Sequence, residues 1–351
     1  MAISPEALQD FRTRVLAAKR PVFFYDDDGD GLCSYLLCVR ARGGDGFGHR
    51  VQASAMVPVD LLRKVDENNP DLIVILDKPY VEQAFLDGVS CPVIWLDHHG
   101  PQTPQGGHVT YYNPRIADDA DNRCTTHWVW HALGNPEDLW LAAVGSIGDW
   151  QMTDIADAFR IEAPELIGEA VTAPQALFDQ PFGTLARLFQ FNLKGDGSEV
   201  RTIIKILARV ETYGELLAHT TPRAKLVWKR YEKINKEYWR LLVETRSSAT
   251  ESQILFHRFG ALEISLISEL SNQLIHEFPD KIIFLARSHN GEHKLSIRSA
   301  GVPVAPAVKE ALRISGARGN AGGHTLACGG KITDEDFPRF YAAFIDAMRL
   351  N

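Results

Sequence analysis

Aspartates crowd the first half of the chain at the points where short apolar runs end. Tyr25-Asp26-Asp27-Asp28-Gly29-Asp30-Gly31 closes one run, Asp77-Lys78 a second and Asp97-His98-His99 a third. Asp149 follows the small-residue segment Gly145-Ser146-Ile147-Gly148. One aspartate after a strand is a routine turn signal. Three point to a site, because ligands of open parallel sheets gather outside the carboxyl ends of the strands. Side chains at Asp26, Asp28 and Asp30 alternate, so an extended chain would aim them to one side and Asp27 to the other. That many carboxylates repel strongly unless a cation sits among them. Oxygen-rich ligands with one or two imidazoles suit manganese or magnesium better than zinc or copper. The chemistry expected is metal-assisted.

Competing readings of the same residues are weaker. Asp26-x-Asp28-x-Asp30-Gly31 also opens an EF-hand pattern, but that loop needs a glutamate at its twelfth position, here Leu37, and a preceding helix. Pro21–Tyr25 reads as a strand. No Ser/His/Asp or Cys/His nucleophile pattern is apparent, and Cys33 and Cys38 read as core thiols. His127 and His131 fall four apart on an expected helix with no matching acidic partner, so they read as helix packing. Asp118, Asp119 and Asp121 read as an exposed turn.

The elements that must position these groups follow from periodicity. Pro21–Tyr25, Leu72–Leu76 and Pro92–Leu96 are short, continuously apolar runs, as expected of buried parallel strands. Helical stretches lie between and after them, at Leu32–Arg42, Val81–Leu86, Cys124–Leu133 and Pro136–Gly145. Residues 1–160 are therefore expected to be an α/β domain with a doubly wound, mostly parallel sheet. A helical connector over 161–250 follows. Within it, Arg223–Arg246 reads as one long helix, with Val227, Tyr231, Ile234, Tyr238 and Leu241 forming its apolar stripe. Lys225, Lys229, Lys233, Lys236 and Arg240 form a cationic stripe opposite. Residues 251–351 read as a smaller α+β domain. Its expected strands are Leu262–Ile267, Lys281–Ala286 and Lys294–Arg298, and its expected helices lie near 268–278, 303–314 and 335–349.

Composition narrows the class. The chain has 351 residues, is 45% hydrophobic and 23% charged, and carries a net charge of −8. It lacks the roughly 18-residue apolar run that a membrane span needs. Its odd number of cysteines, without a CxxC pair, argues for reduced thiols and a soluble cytoplasmic protein. The charge is uneven. Residues 1–160 hold 13 Lys+Arg against 23 Asp+Glu, whereas Arg223–Arg246 holds eight basic residues against three glutamates. An acidic half beside a basic strip suits a cation-requiring site next to an anion-receiving surface better than a coat for long duplex DNA.

In order and spacing, Asp26-x-Asp28-x-Asp30-Gly31-x-x-Ser34, Asp77, Asp97-His98-His99 and Asp149 resemble motifs one to four of the DHH phosphoesterases. Asn113-Pro114 after the third motif is also typical of them. Lys294-Leu295-Ser296-Ile297-Arg298-Ser299 and Gly322-Gly323-His324-Thr325-Leu326-Ala327-Cys328-Gly329-Gly330 resemble the substrate motifs of the DHH-associated domain, with Cys328 where alanine is common. The resemblance covers about 20–150 and 255–335 and leans towards the RecJ-type exonucleases, which share Asp rather than His at position 26. It implies two Mn2+ ions, with Mg2+ as a substitute. Asp28 and Asp30 would each bind one ion, Asp77 would bridge them, and His98 and Asp149 would complete the coordination of the second ion. Asp26 would join the metal cluster, Asp97 would orient His98 or His99, and His99 would contact the scissile phosphate. Arg298, His324 and the amides of Gly322 and Gly323 would grip a phosphate or nucleotide end. The activity implied is phosphodiester hydrolysis of single-stranded DNA or RNA ends or short oligonucleotides. The alternatives are a small-nucleotide phosphoesterase (nanoRNase, 3′-phosphoadenosine phosphate phosphatase or cyclic dinucleotide phosphodiesterase) and a non-catalytic replication or repair scaffold. Strand polarity, substrate length and oligomeric state, a dimer included, stay open. No membrane partner is expected.

Overall fold

The computed structural model describes residues 3–52 and 54–349. By contacts the chain divides into two compact units, residues 1–231 and 232–351, and the division falls inside the 25-residue helix Pro222–Arg246. The helices from Pro164–Ile167 to Tyr213–Leu217, expected as a connector, lie in the first unit.

The first unit is built on a five-stranded parallel sheet. Its strands are Pro21–Asp26, Phe47–Val51, Leu72–Leu76, Val93–Leu96 and Val109–Tyr112, and in this numbering their spatial order is 2-1-3-4-5. That order reverses direction between the first and third strands, where doubly wound sheets bind their ligands. The sequence showed the three central strands because both their faces are apolar and buried. It hid the two edge strands, whose mixed sequences are half-exposed. Val22, Phe24, Ile73, Ile75, Val93 and Trp95 line one face of the sheet in a single core with Phe85 and Leu86. On the other face Tyr25 stacks on Tyr35 of helix Gly29–Ala41, with ring centroids 4.4 Å apart. Each such fully buried apolar side chain contributes about 1.5–3 kcal/mol.

The register sets up the site. Tyr25 pairs with Leu76, Leu76 with Leu96 and Leu96 with Tyr112. Asp26, Asp77, Asp97 and Asn113 therefore stand in the next row, at the carboxyl edge. The ladder runs one step further, since the Asp77 N–H donates to Leu96 O (3.0 Å) and the Asp97 N–H to Tyr112 O (3.1 Å).

The second unit carries a mixed five-stranded sheet in the order Gly319–His324, Ala327–Thr333, Glu292–Ser299, Ile282–His289, Ile254–Phe259. Only the last pair runs parallel. Phe284, Ala286, Leu295 and Ile297 pack one face against Val308 of helix Ala305–Ser315 and Phe340 and Phe344 of helix Phe337–Arg349. Helix Ile267–Glu277 lies on the other face, where Ser271 and Ser296 share a 2.7 Å hydrogen bond. The expected strand Leu262–Ile267 does not form. Ile254–Phe259 takes the edge position instead and ends before Gly260. Of the alternating apolar residues that follow, Leu266 is buried as it leads into the helix that begins at Ile267. Among the described residues no helix is long and apolar enough to cross a membrane.

Candidate metal centre

The chain does not stay extended through the first acidic run. The strand ends at Asp26 and a helix begins at Gly29, so a turn rather than strand alternation brings the three aspartates together. Asp28 is the helix N-cap and accepts from the Gly31 N–H at 2.9 Å. Gly31 is required here, because a Cβ at that position would lie 2.6 Å from the Asp26 backbone nitrogen and oxygen. Asp30, in the first turn of that helix, is buried and accepts from the backbone N–H groups of Thr125 (2.8 Å) and Thr126 (2.6 Å). These are the first amides of helix Thr125–Leu133, so the N-terminal end of that helix points at this carboxylate.

Asp77 is 1% exposed and takes the left-handed backbone region, with φ of +58°. For a residue with a side chain that conformation costs roughly 1–2 kcal/mol, and such strain gathers at functional sites. Its carboxylate faces His98 Nε2 at 3.4 Å, and the same nitrogen lies 3.8 Å from both Asp30 and Asp149. His98 Nδ1 sits 3.0 Å from the carbonyl of Asn122, so it carries a proton and the ring is turned with Nε2 towards the carboxylates. Asp97 serves the neighbouring ring. It is fully buried and accepts from His99 Nδ1 (2.7 Å), the His99 N–H (3.0 Å) and Asn113 Nδ2 (3.3 Å). Of the two histidines, Asp97 orients His99.

Electrostatics describe a site short of positive charge. Burial, then repulsion from Asp30, Asp28 and Asp26, pushes the Asp77 carboxyl well above the usual range. Burial and then Asp30 do the same to Asp149. Asp28, though its side chain reaches solvent, is pushed up to about 6 by the surrounding protein mass and by Asp26 and Asp30. Burial pulls His98 down, but Asp149, Asp30 and Asp97 outweigh it and hold the imidazole above its ordinary value. Asp26, Asp28 and Asp77 can bring one oxygen each within 4.8 Å of one another, and so can Asp77, His98 and His99 with one donor atom each. Asp30 and Asp149 meet beside the Cys124 thiol, which burial keeps protonated. This donor set of carboxylates and imidazole fits divalent manganese or magnesium.

Several contributors were invisible in the sequence. Lys78 is fully buried, and its ammonium donates to Asp26 Oδ1 (2.9 Å) and to Ser54 O (2.5 Å). A lysine after an apolar run reads as a solvent-facing cap, and only the fold turns it inward. Gln151 accepts from the Cys124 N–H (2.8 Å) and donates to Asn122 O (2.6 Å) and Asp149 Oδ2 (3.0 Å). It thus ties the carbonyl that holds His98 to Asp149. Gln151→Ala should weaken manganese binding about 10–100-fold with the fold intact, as loss of the groups that orient metal ligands typically does. Calorimetric titration checks this, and an unchanged affinity would remove Gln151 from the role.

In the second unit Arg298 pairs in register with Ala327, and Ala327 with His324, so the three stand in one row across three strands on one face. The Arg298 guanidinium bonds Asn272 Oδ1 (2.9 Å) and the carbonyls of Ile297 (2.9 Å) and Cys328 (3.1 Å). Burial pulls the Arg298 guanidinium down, with Cys328 and Glu269 acting in the opposite direction. Gly322, Gly323 and His324 form the exposed edge strand of a hairpin. Gly323 has φ of +149°, and a Cβ there would collide with the carbonyl oxygen of Ala327.

Residues 254–350 match the DHHA1 domain family. The expected motifs around Arg298 and Gly322–Gly330 fall within this DHHA1 match. The whole chain shares the fold of RecJ from Thermus thermophilus in complex with Mn2+, with a TM-score of 0.69 at 19% identity over 99% of this chain. It spans only 55% of that RecJ's length. A structure of exonuclease RecJ bound to manganese gives a TM-score of 0.64 at 19% identity, covering 99% of this chain and 96% of that one. A pGpG-specific phosphodiesterase from Vibrio cholerae gives 0.52 at 13% identity, covering 95% and 99%. No match to a curated protein was found. The fold is α/β with a parallel sheet, followed by a smaller α+β unit, as the sequence predicts.

Proposed function

We propose that the chain is a manganese-dependent phosphodiesterase that hydrolyses single-stranded nucleic acid ends or short oligonucleotides. The observation that carries this reading is the convergence of Asp30, Asp77 and Asp149 on Nε2 of His98, within 3.4–3.8 Å. Asp26, Asp28, Asp30, Asp77, His98 and Asp149 would hold two divalent ions. Bound there, the ions would neutralise phosphate charge and acidify a water. His99, fixed by Asp97 through Nδ1 and 34% exposed, would turn its other ring nitrogen towards a phosphate oxygen. Arg298, His324 and the amides of Gly322 and Gly323 would bind the phosphate or terminal nucleotide. Arg298→Ala and His324→Ala should therefore raise KM and lower turnover while manganese affinity stays within about twofold. Collapse of metal affinity in either variant would refute this assignment.

The long helix would favour long single strands over dinucleotides. Lys225, Lys229, Lys233, Lys236 and Arg240 are all exposed, and the apolar stripe opposite is buried. Arg240 is already engaged by Glu237 and Glu244, so the stripe reduces to four lysines. If a strand follows them, each phosphate contact contributes about 0.7 to the log–log salt slope. Reversing Lys229 and Lys233 to Glu should cut cleavage of a thirty-mer about tenfold or more and flatten that slope, with dinucleotide cleavage unchanged. Equal thirty-mer rates before and after reversal would favour the small-nucleotide reading, which the fold shared with the pGpG-specific enzyme keeps in view.

A further inference from the structure

His127 and His131 lie one turn apart on helix Thr125–Leu133, and the fold supplies the acidic partner that the sequence did not show. Asp154 opens the helix Asp154–Glu162, and its carboxylate meets both rings. Oδ2 is 3.0 Å from His131 Nε2 and Oδ1 is 3.5 Å from His127 Nδ1. The ring centroids are 4.5 Å apart, and one donor atom from each of the three residues fits within a 4.8 Å span. His127 is 99% buried, and its Nδ1 has no hydrogen-bond partner. At 3.5 Å from the carboxylate it is too far for a hydrogen bond. That separation does match the edge of a tetrahedron of ligands about 2.0–2.1 Å from a metal, roughly 3.3 Å.

We propose that His127 Nδ1, His131 Nε2 and Asp154 form a second metal site, for a zinc-class divalent ion, sharing no residue with the carboxylate-rich centre. Two imidazoles and one carboxylate select a softer ion than the aspartate cluster does, and the exposed Asp154 leaves room for water as the remaining ligand. Burial and the adjacent His131 hold the His127 imidazole down to about 4, so at neutral pH its ring is uncharged and able to ligate. On loading, the ring proton sits on Nε2, and the Arg123 guanidinium gives up its 3.4 Å contact with that nitrogen. Its stronger partner, Asp121, is already bonded at 2.5 and 2.9 Å. The ion would pin the helix whose first amides hold Asp30 to the segment that follows Asp149. The proposal is independent of the hydrolase reading.

The test is a cobalt(II) titration of the full chain, read by calorimetry and visible absorption, in a D77N/D149N background that cripples the aspartate centre. That protein should take up cobalt with the intense visible bands of a low-coordinate site, and zinc should raise its Tm. Adding His131→Gln or Asp154→Asn, both at solvent-reached positions, should remove one equivalent, the bands and the zinc-induced Tm shift. Identical stoichiometry and spectra with and without these changes would overturn the proposal, as would the absence of the bands in the D77N/D149N protein.

Discussion

Asp77→Asn is expected to abolish phosphodiester hydrolysis while the metal-free protein melts at the same temperature or higher. Asp77 is 1% exposed and crowded by Asp30, Asp28, Asp26 and Asp149. It would bridge the two ions. Losing it removes several kcal/mol of transition-state charge stabilisation, on the order of a 10³-fold drop in kcat or more. Without metal, the same carboxylate is an uncompensated charge, so neutralising it relieves repulsion. The pH dependence follows with a definite sign. A carboxyl whose folded pKa is raised binds more protons folded than unfolded, so stability falls as pH climbs from the unfolded value to the folded one. For Asp28 that window runs from about 3.8 to about 6. The apo protein should therefore lose Tm across pH 4–6, and D77N should lose less. Saturating manganese should remove this fall, because the ions stabilise the ionised form. More than a few per cent residual activity in D77N would sink the two-ion assignment. A Tm well below wild type without metal would show Asp77 to be structural.

The acidic ends of the strands were legible because apolar runs of strand length are easy to see and a single register row places their aspartates together. The mechanism that groups Asp26, Asp28 and Asp30 was not. Strand alternation was the simplest reading, but the chain turns at Asp27 and spends Asp28 on capping a helix. The buried lysine, the paired threonine amides and Gln151 were hidden for a different reason. Their partners lie 52, 95 and 27 positions away in sequence, and polar residues in turns have no periodicity to betray them. Asp154 was hidden likewise, 23 positions from His131. The false strand Leu262–Ile267 shows the limit of alternation as a signal. Its period matched, but Ile254–Phe259 occupied the sheet edge and left those residues to lead into a helix.

The neighbouring histidines, tilted rings 4.5 Å apart, are held by different means and should separate cleanly by mutation. His98 takes its orientation from the Asn122 carbonyl and faces the metal carboxylates, whereas His99 takes its own from Asp97. Three N–H donors converge on the Asp97 carboxylate, from His99 Nδ1, the His99 backbone and Asn113. Asp97→Asn keeps the shape but offers one acceptor oxygen and adds two donors. At least one of the three converging donors then faces an NH2 group, at a cost of about 1–3 kcal/mol for a buried unsatisfied polar group. The His99 ring can answer by moving its proton to Nε2, which aims a different face of its chemistry at the phosphate. Turnover should drop on the order of 10²–10⁴-fold, the range for a misplaced acid–base group. Manganese affinity should stay within about threefold, because nothing that holds His98 has changed. Calorimetry and single-turnover hydrolysis on the same preparation read the two effects separately. If metal affinity falls in step with turnover, Asp97 supports the metal ligands and His99 has no separate part in the reaction. If turnover stays within threefold of wild type, the orientation of His99 does not matter to the chemistry.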